Sequence, residues 1–367
     1  MIIGVPKEIK TEEKRVAITP AGVSALNAHG HQIYIEKNAG VGSGITDEEY
    51  KAAGATILPK AAEVWGKAEM IMKVKEPQPV EYKFMKNKLI FTYLHLAAER
   101  ELTEAMVAAN CIGIAYETIE TAEHHLPLLS PMSEVAGKLA PQVGSWCLEA
   151  RNGGSGVLLA GVSGVAPAKV TIVGAGVSGA AACEIAVGMN AQVTILDTRP
   201  ERLHYLHDIY RGRVVTLMSN RGNLAQAVAE ADLVIGAVLI PGAKAPKLIT
   251  VDMIKKMRPG SAIVDISIDQ GGCVETAHAT SHTEPTFIKH GIVHYCVTNM
   301  PGIVPRTSTY ALTNATLNFA LELADKGFEC AVAENEALRK GINIYQGTVA
   351  YEAVATALKM KYTPYEA

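Results

Sequence analysis

Short apolar runs of strand length alternate along this chain with segments of helical spacing. Ile2–Val5, Gln32–Glu36, Met70–Val74, Leu89–Leu94 and Ile112–Tyr116 predict strands. Pro20–His29, Asp47–Ala53, Lys60–Lys67 and Glu99–Ala109 predict the helices between them. The first helix has Thr19 as N-cap and Pro at its first position, and Gly30 stops it. This alternation predicts a parallel sheet with helices on its faces.

A long helix is predicted over Ser133–Arg151, ended by Asn152, Gly153 and Gly154. A second alternating stretch follows, with strands at Lys169–Val173, Gln192–Leu196, Val214–Leu217, Leu233–Leu239, Ala262–Ile268 and Val293–Val297. Thr309–Lys326 predicts a second long helix, and two shorter helices follow it. The helices after about Thr307 have no sheet of their own, so they are expected to return to the first domain. The predicted architecture is α/β, with two Rossmann-like domains of parallel sheet linked by long helices. Residues 1–128 and 308–367 form one domain, and residues 129–307 form the domain inserted into it. A length of 367 residues suits two domains at roughly 150 residues each.

Composition narrows the function classes. Lys+Arg is 34 against 37 Asp+Glu, so no basic surplus points to nucleic acid or an anionic membrane. Six scattered cysteines, none in a CxxC pair, suit a reduced, cytoplasmic protein. The start MIIGVPKEIK lacks the apolar stretch of a signal peptide. The long, weakly charged region Gly153–Met189 is interrupted by glycines and Pro167, which argues against a membrane span.

That region contains the strongest local signal, KVTIVGAGVSG. Gly174, Gly176 and Gly179 fit GxGxxG between an apolar strand and a helix-like run, and Asp197 ends the next strand. Gly174 permits the tight turn, Gly176 lets the backbone approach a pyrophosphate, and Gly179 lets the helix pack on the strand. The helix N-terminus favours phosphate. Asp197 would accept from ribose hydroxyls and repel a 2′-phosphate, which favours NAD over NADP, while Arg199 and Arg202 soften that preference. Later strand ends should line the same crevice, at Ser219, at Val238-Leu239 and along Ile266–Asp269.

An NAD-dependent dehydrogenase of a small carboxylate substrate needs a cation for that carboxylate and a general acid–base. Arg15 and Lys75 are the candidate cations; Lys75 ends an apolar strand, two positions after Lys73 and so on the same face. His95 follows the strand LIFTYL, and its imidazole suits proton transfer near neutrality. Strand alternation puts Asp265, Ser267 and Asp269 on one face, with Asp269 before two glycines. Each of the four also has a bland reading, as surface charge, satisfied histidine or turn former. His124-His125 reads as loop, and no metal site is expected.

Over essentially its whole length the chain resembles the alanine dehydrogenase family. The strings that carry the resemblance include GVPKEIKTEEKRVAITPAGV, KVKEP, FTYLHLA, LPLLSPMSEVAGKLA, VTIVGAGVSG, VDISIDQGGC and YCVTNMPGIVP. The resemblance implies NAD-dependent conversion of L-alanine to pyruvate and ammonium by a homohexamer. It implies that Arg15 and Lys75 hold substrate, that His95 is the proton donor–acceptor, and that Asp269 is the second catalytic residue. It places NAD contacts on Ser133, Val177, Ser178, Asp197, Arg202, Ser219, Val238, Leu239, Ile266, Ser267, Ile268, Asn299 and Met300. The alternative within this fold is the NAD(H)-binding component of a proton-translocating transhydrogenase, which shares the RVAITP-type start.

Overall fold

The computed structural model describes residues 1–238 and 245–366. They divide into two compact units, Met1–Met132 with Val304–Ala367, and Ser133–Ile303. The helix Ser130–Cys147 carries the chain out of the first unit, and the helix Pro305–Glu334 begins just after the return.

The first unit opens with β1 (Ile2–Val5), β2 (Gln32–Glu36), β3 (Thr56–Leu58), β4 (Met70–Met72), β5 (Leu89–Thr92) and β6 (Ile112–Ala115). These six are parallel, in the order β6-β5-β4-β1-β2-β3. Every residue of β4 and β5 is buried, which is why they read as apolar runs rather than alternations. Trp65, Ile71, Met85, Ile90, Leu94 and Leu102 belong to the core on one side. Thr19 caps the first helix as expected, accepting from the Gly22 N–H. β4 stops at Met72, two residues short of the predicted end, because the Val74 N–H turns to the Glu8 carboxylate. Lys73 and Lys75 are therefore not partners on one strand face; Lys73 is fully buried and Lys75 half-buried.

The second unit contains β7 (Lys169–Val173), β8 (Gln192–Asp197), β9 (Val214–Met218), β10 (Leu233–Gly236), β11 (Ala262–Asp265), β12 (Thr286–Lys289) and β13 (Ile292–Tyr295). Its sheet order is β12-β13-β11-β10-β7-β8-β9, with only β12 antiparallel. The order reverses at β7, between β10 and β8, and ligands of such sheets sit outside the carboxyl ends at that point. The bridging helix begins three residues earlier than predicted and ends at Cys147; a short 3-10 turn, Ala150–Asn152, follows it. β11 ends at Asp265 because the Asp265 side chain accepts from the Ser267 N–H and closes a 3-10 turn over Ile266–Gln270. Strand alternation does not continue past it: Asp265 and Ser267 are buried, whereas Asp269 is exposed.

After the return the chain adds β14 (Ile342–Tyr345) and β15 (Thr348–Val349) to the first sheet. β14 runs antiparallel to β6, and the β14–β15 hairpin turns on Gln346 and Gly347, both at positive φ. The C-terminal segment is thus not purely helical. A four-residue strand followed by a two-residue one carries too little periodicity to stand out beside helices. Among the described residues no helix is long and apolar enough to cross a membrane.

Candidate active site

At the end of β7 the chain makes the glycine turn. A Cβ on Gly174 would lie 2.5 Å from the Ala237 carbonyl oxygen, and φ there is +102°. A Cβ on Gly179 would lie 1.8 Å from the Gly174 carbonyl oxygen, so only glycine lets the helix Val177–Gly188 sit this close to the strand. Gly176 differs: no atom comes nearer its hypothetical Cβ than Arg199 Nη2 at 4.0 Å. Two glycines are packed and the middle one faces open space. No side chain caps the helix that starts there, so its first N–H groups and positive dipole end suit an anion.

Asp197, at the end of β8, braces this turn. It accepts from the Ala175 N–H at 2.6 Å, from the Arg199 N–H at 2.9 Å, and from Arg199 Nε and Nη2 at 3.0 and 3.2 Å. Burial alone would raise the Asp197 pKa, but these donors hold it below the usual carboxylate range. Arg202 Nε donates to the Ala175 carbonyl, and the Ser219 N–H donates to the Asp197 carbonyl. The helix carrying Ser133 reaches the same place, since a Cβ on Gly137 would meet the Ser178 carbonyl at 2.2 Å. The structure thus gathers Gly174, Gly176, Val177, Ser178, Gly179, Asp197, Arg202 and Ser219 around one turn, while Ser133 lies one helical turn before Gly137 on the helix that packs there. The Gly179→Ala variant is expected to lose dinucleotide affinity and about 1–3 kcal/mol of stability, because its methyl meets backbone rather than a flexible side chain. Titration calorimetry and thermal melts check this; unchanged values in both would refute the packing role.

A second group sits at the neighbouring strand ends of the same unit. The Val238 N–H donates to Ser267 Oγ at 3.0 Å. Asp269 accepts from the Asn299 N–H through both oxygens, at 3.0 and 3.2 Å. Asn299 holds a positive φ of 56°, and Met300 beside it is buried. Ile266 and Ile268 flank Ser267 in the 3-10 turn. Leu239 lies outside the described residues.

In the first unit the candidate groups hang from loops beyond strand ends. Arg15 is buried and forked onto Glu13, with Nε and Nη2 reaching the two carboxylate oxygens at 2.7 and 2.5 Å. Its Nη1 contacts Met132 Sδ at 3.1 Å. Burial would push the Glu13 carboxyl up, yet the Arg15 hydrogen bonds and charge hold it down at about 2. Arg15 and Glu13 open onto a cleft of about 590 Å³ shared with Lys7, Lys14, Asn38 and Val41. Glu8 accepts from the Val74 and Lys75 N–H groups at 2.6 and 3.3 Å, and the Lys75 carbonyl accepts from Thr92 Oγ1. Behind it, Lys73 bonds Glu8 at 3.1 Å and Glu81 at 3.2 Å. His95 lies three residues beyond β5 with an exposed side chain and a left-handed backbone, φ 51°.

Two family models cover most of this sequence. The N-terminal domain model of alanine dehydrogenase/PNT matches residues 4–136, which contain Arg15, Lys75 and His95, and the C-terminal domain model matches residues 140–352. The chain belongs to the alanine dehydrogenase/PNT family. It is 58% identical over 368 residues to a protein of Methanococcus maripaludis named alanine dehydrogenase, covering 100% of this chain and 99% of that one. It superposes with a TM-score of 0.95 on a solved L-alanine dehydrogenase at 50% identity, covering 98% of this chain and 99% of the other. A solved transhydrogenase from Sinorhizobium meliloti, at 24% identity and a TM-score of 0.82 over 96% of this chain and 100% of that one, shares the fold.

Within this alanine dehydrogenase/PNT chain the carboxylates that hold the candidate residues and their loops escape sequence reasoning. Glu13 stands only two residues from Arg15, but a two-residue spacing in a loop gives no sign of a fork. Glu8 and Glu117 act on backbone N–H groups 66 and 22 residues away, pairings that no local pattern encodes.

Proposed function

We propose that this chain catalyses the reversible oxidation L-alanine + NAD⁺ + H₂O → pyruvate + NH₄⁺ + NADH + H⁺. The observation that carries this reading is the 57–58% identity over its full length to proteins named alanine dehydrogenase; in this reading Arg15, Lys75, His95 and Asp269 do the chemistry. The open face over Gly176, between two glycines that admit no side chain, fits a dinucleotide pyrophosphate, and Asp197 suits NAD rather than its 2′-phosphate.

When bound, NAD⁺ supplies the acceptor for the hydride that leaves the alanine Cα. Arg15 and Lys75 hold the substrate carboxylate and fix the Cα–H direction, which makes the transfer effectively unimolecular. Glu13 keeps the Arg15 fork in one orientation. Oxidation of the neutral amine leaves iminopyruvate, to which water adds. His95 and Asp269 move the protons of that water and of the departing ammonia. In this reading the remaining dinucleotide contacts fall to Ser133, Val177, Ser178, Arg202, Ser219, Val238, Ile266, Ser267, Ile268, Asn299 and Met300. The reading includes a cytoplasmic homohexamer; the exposed Leu158, Val162 and Val165 offer apolar surface that an assembly would cover.

The test is NADH absorbance with NAD⁺ and L-alanine at alkaline pH, beside L-serine, L-lysine and NADP⁺. Alanine-selective reduction of NAD⁺ is the expected result. NAD⁺ binding without alanine turnover would replace this reading with the transhydrogenase-type one.

A further inference from the structure

We propose that Glu117 is the positioning residue of His95, an inference that rests on the proton-transfer role given to His95 above. Glu117 sits in the 3-10 turn Tyr116–Thr118 that leaves β6, and β6 pairs with β5 in register Thr92↔Ala115. The neighbouring strand end therefore delivers its carboxylate beside the β5 exit loop. There the carboxylate accepts from two successive backbone N–H groups: Leu94 through both oxygens at 3.2 Å, and His95 through Oε1 at 2.6 Å.

These bonds hold a residue whose backbone would not rest there unaided. His95 has φ 51° and ψ 31°, a left-handed conformation that non-glycine residues rarely keep without support. The same Oε1 lies 3.9 Å from His95 Nδ1. The ring also stacks on Tyr93, with centroids 5.9 Å apart and planes 12° apart. Tyr93 is itself buried and fixed by its hydroxyl to the Leu128 carbonyl at 2.6 Å. The imidazole is thus set by a ring on one face and a carboxylate on its Nδ1 side, leaving Nε2 for proton exchange. A base oriented by a third group is the general arrangement of activated proton-transfer sites, and the orienting contact tightens when substrate is bound.

The test uses the full chain and the alanine reaction. Glu117→Ala removes the clamp and the charge, and kcat should fall about 100-fold. Glu117→Gln keeps an acceptor for the backbone but loses the charge, and kcat should fall about 10-fold. KM for alanine and Kd for NAD⁺ should move less than about threefold in both, because Glu117 acts through His95 in this proposal. A merely structural role would instead move melting temperature, KM and NAD⁺ affinity together. If Glu117→Ala does not fold, Glu117→Gln carries the test alone. Wild-type kcat in Glu117→Gln, with His95→Ala inactive, would overturn this role and leave the alanine reading standing. Absence of alanine turnover in the wild-type chain would remove both.

Discussion

Replacing His95 by Ala should lower kcat for alanine oxidation by about 10²–10⁴-fold, the usual contribution of a positioned acid–base. NAD⁺ affinity should hardly change, because the glycine turn that would bind it belongs to the unit Ser133–Ile303 and His95 supplies none of it. The side chain is exposed, so its loss opens no cavity, and stability should stay within about 0.5 kcal/mol. One complication is the left-handed backbone at this position, which Ala tolerates less well than Asn. His95→Asn is therefore the companion variant: it keeps the conformation and loses the base. Both should be inactive, and His95→Asn should melt near the wild-type temperature. Steady-state kinetics with calorimetric NAD⁺ titration measures this, and turnover retained by either variant would end the proton-transfer role.

Much of this arrangement is legible in the amino-acid sequence. The βαβ unit around Gly174, Gly176 and Gly179 is clear because strand, turn, helix and acid fall at fixed short spacings, and each has a local physical cause. His95, Lys75 and Arg15 stand out as charged or titratable residues next to apolar runs. What holds them is not legible. The Glu117 clamp depends on β6 lying beside β5, and the Glu8 bonds depend on the exit loops of β1 and β4 meeting. Such contacts follow from strand order, which periodicity leaves open. The β11 end is obscured for a related reason: a continued apolar alternation through Ile268 hides the turn that Asp265 closes onto Ser267. β14 and β15 escape notice because short antiparallel strands become visible only against the β6 edge they complete.

The Lys73→Met variant should lose about 3–5 kcal/mol, the usual effect of removing one member of a buried ion pair. Lys73, Glu8 and Glu81 are all buried. Burial alone would lower the Lys73 pKa, but the two carboxylates hold it above the usual lysine value; the Glu8 carboxyl is itself pushed up by burial. Taking the ammonium away leaves two carboxylates facing each other with no cation between them. For a unit of this size that loss corresponds to a melting temperature lower by roughly 6–20 °C. The effect should reach the chemistry as well. Glu8 also bonds the Val74 and Lys75 N–H groups, so a displaced Glu8 releases the loop that presents Lys75, and KM for alanine should rise. Adding Glu8→Gln and Glu81→Gln to Lys73→Met removes the stranded charges, so the triple variant should recover part of the stability, since neutral groups are far cheaper to bury than unpaired ions. It should not recover the alanine KM, because the neutral amide introduced by Glu8→Gln would hold the 74–75 backbone more weakly than the carboxylate does. Differential scanning calorimetry and alanine kinetics on the single and triple variants separate the two effects. A single variant melting within about 2 °C of wild type would mean the carboxylates find other partners, and that Lys73 is not what holds this loop in place.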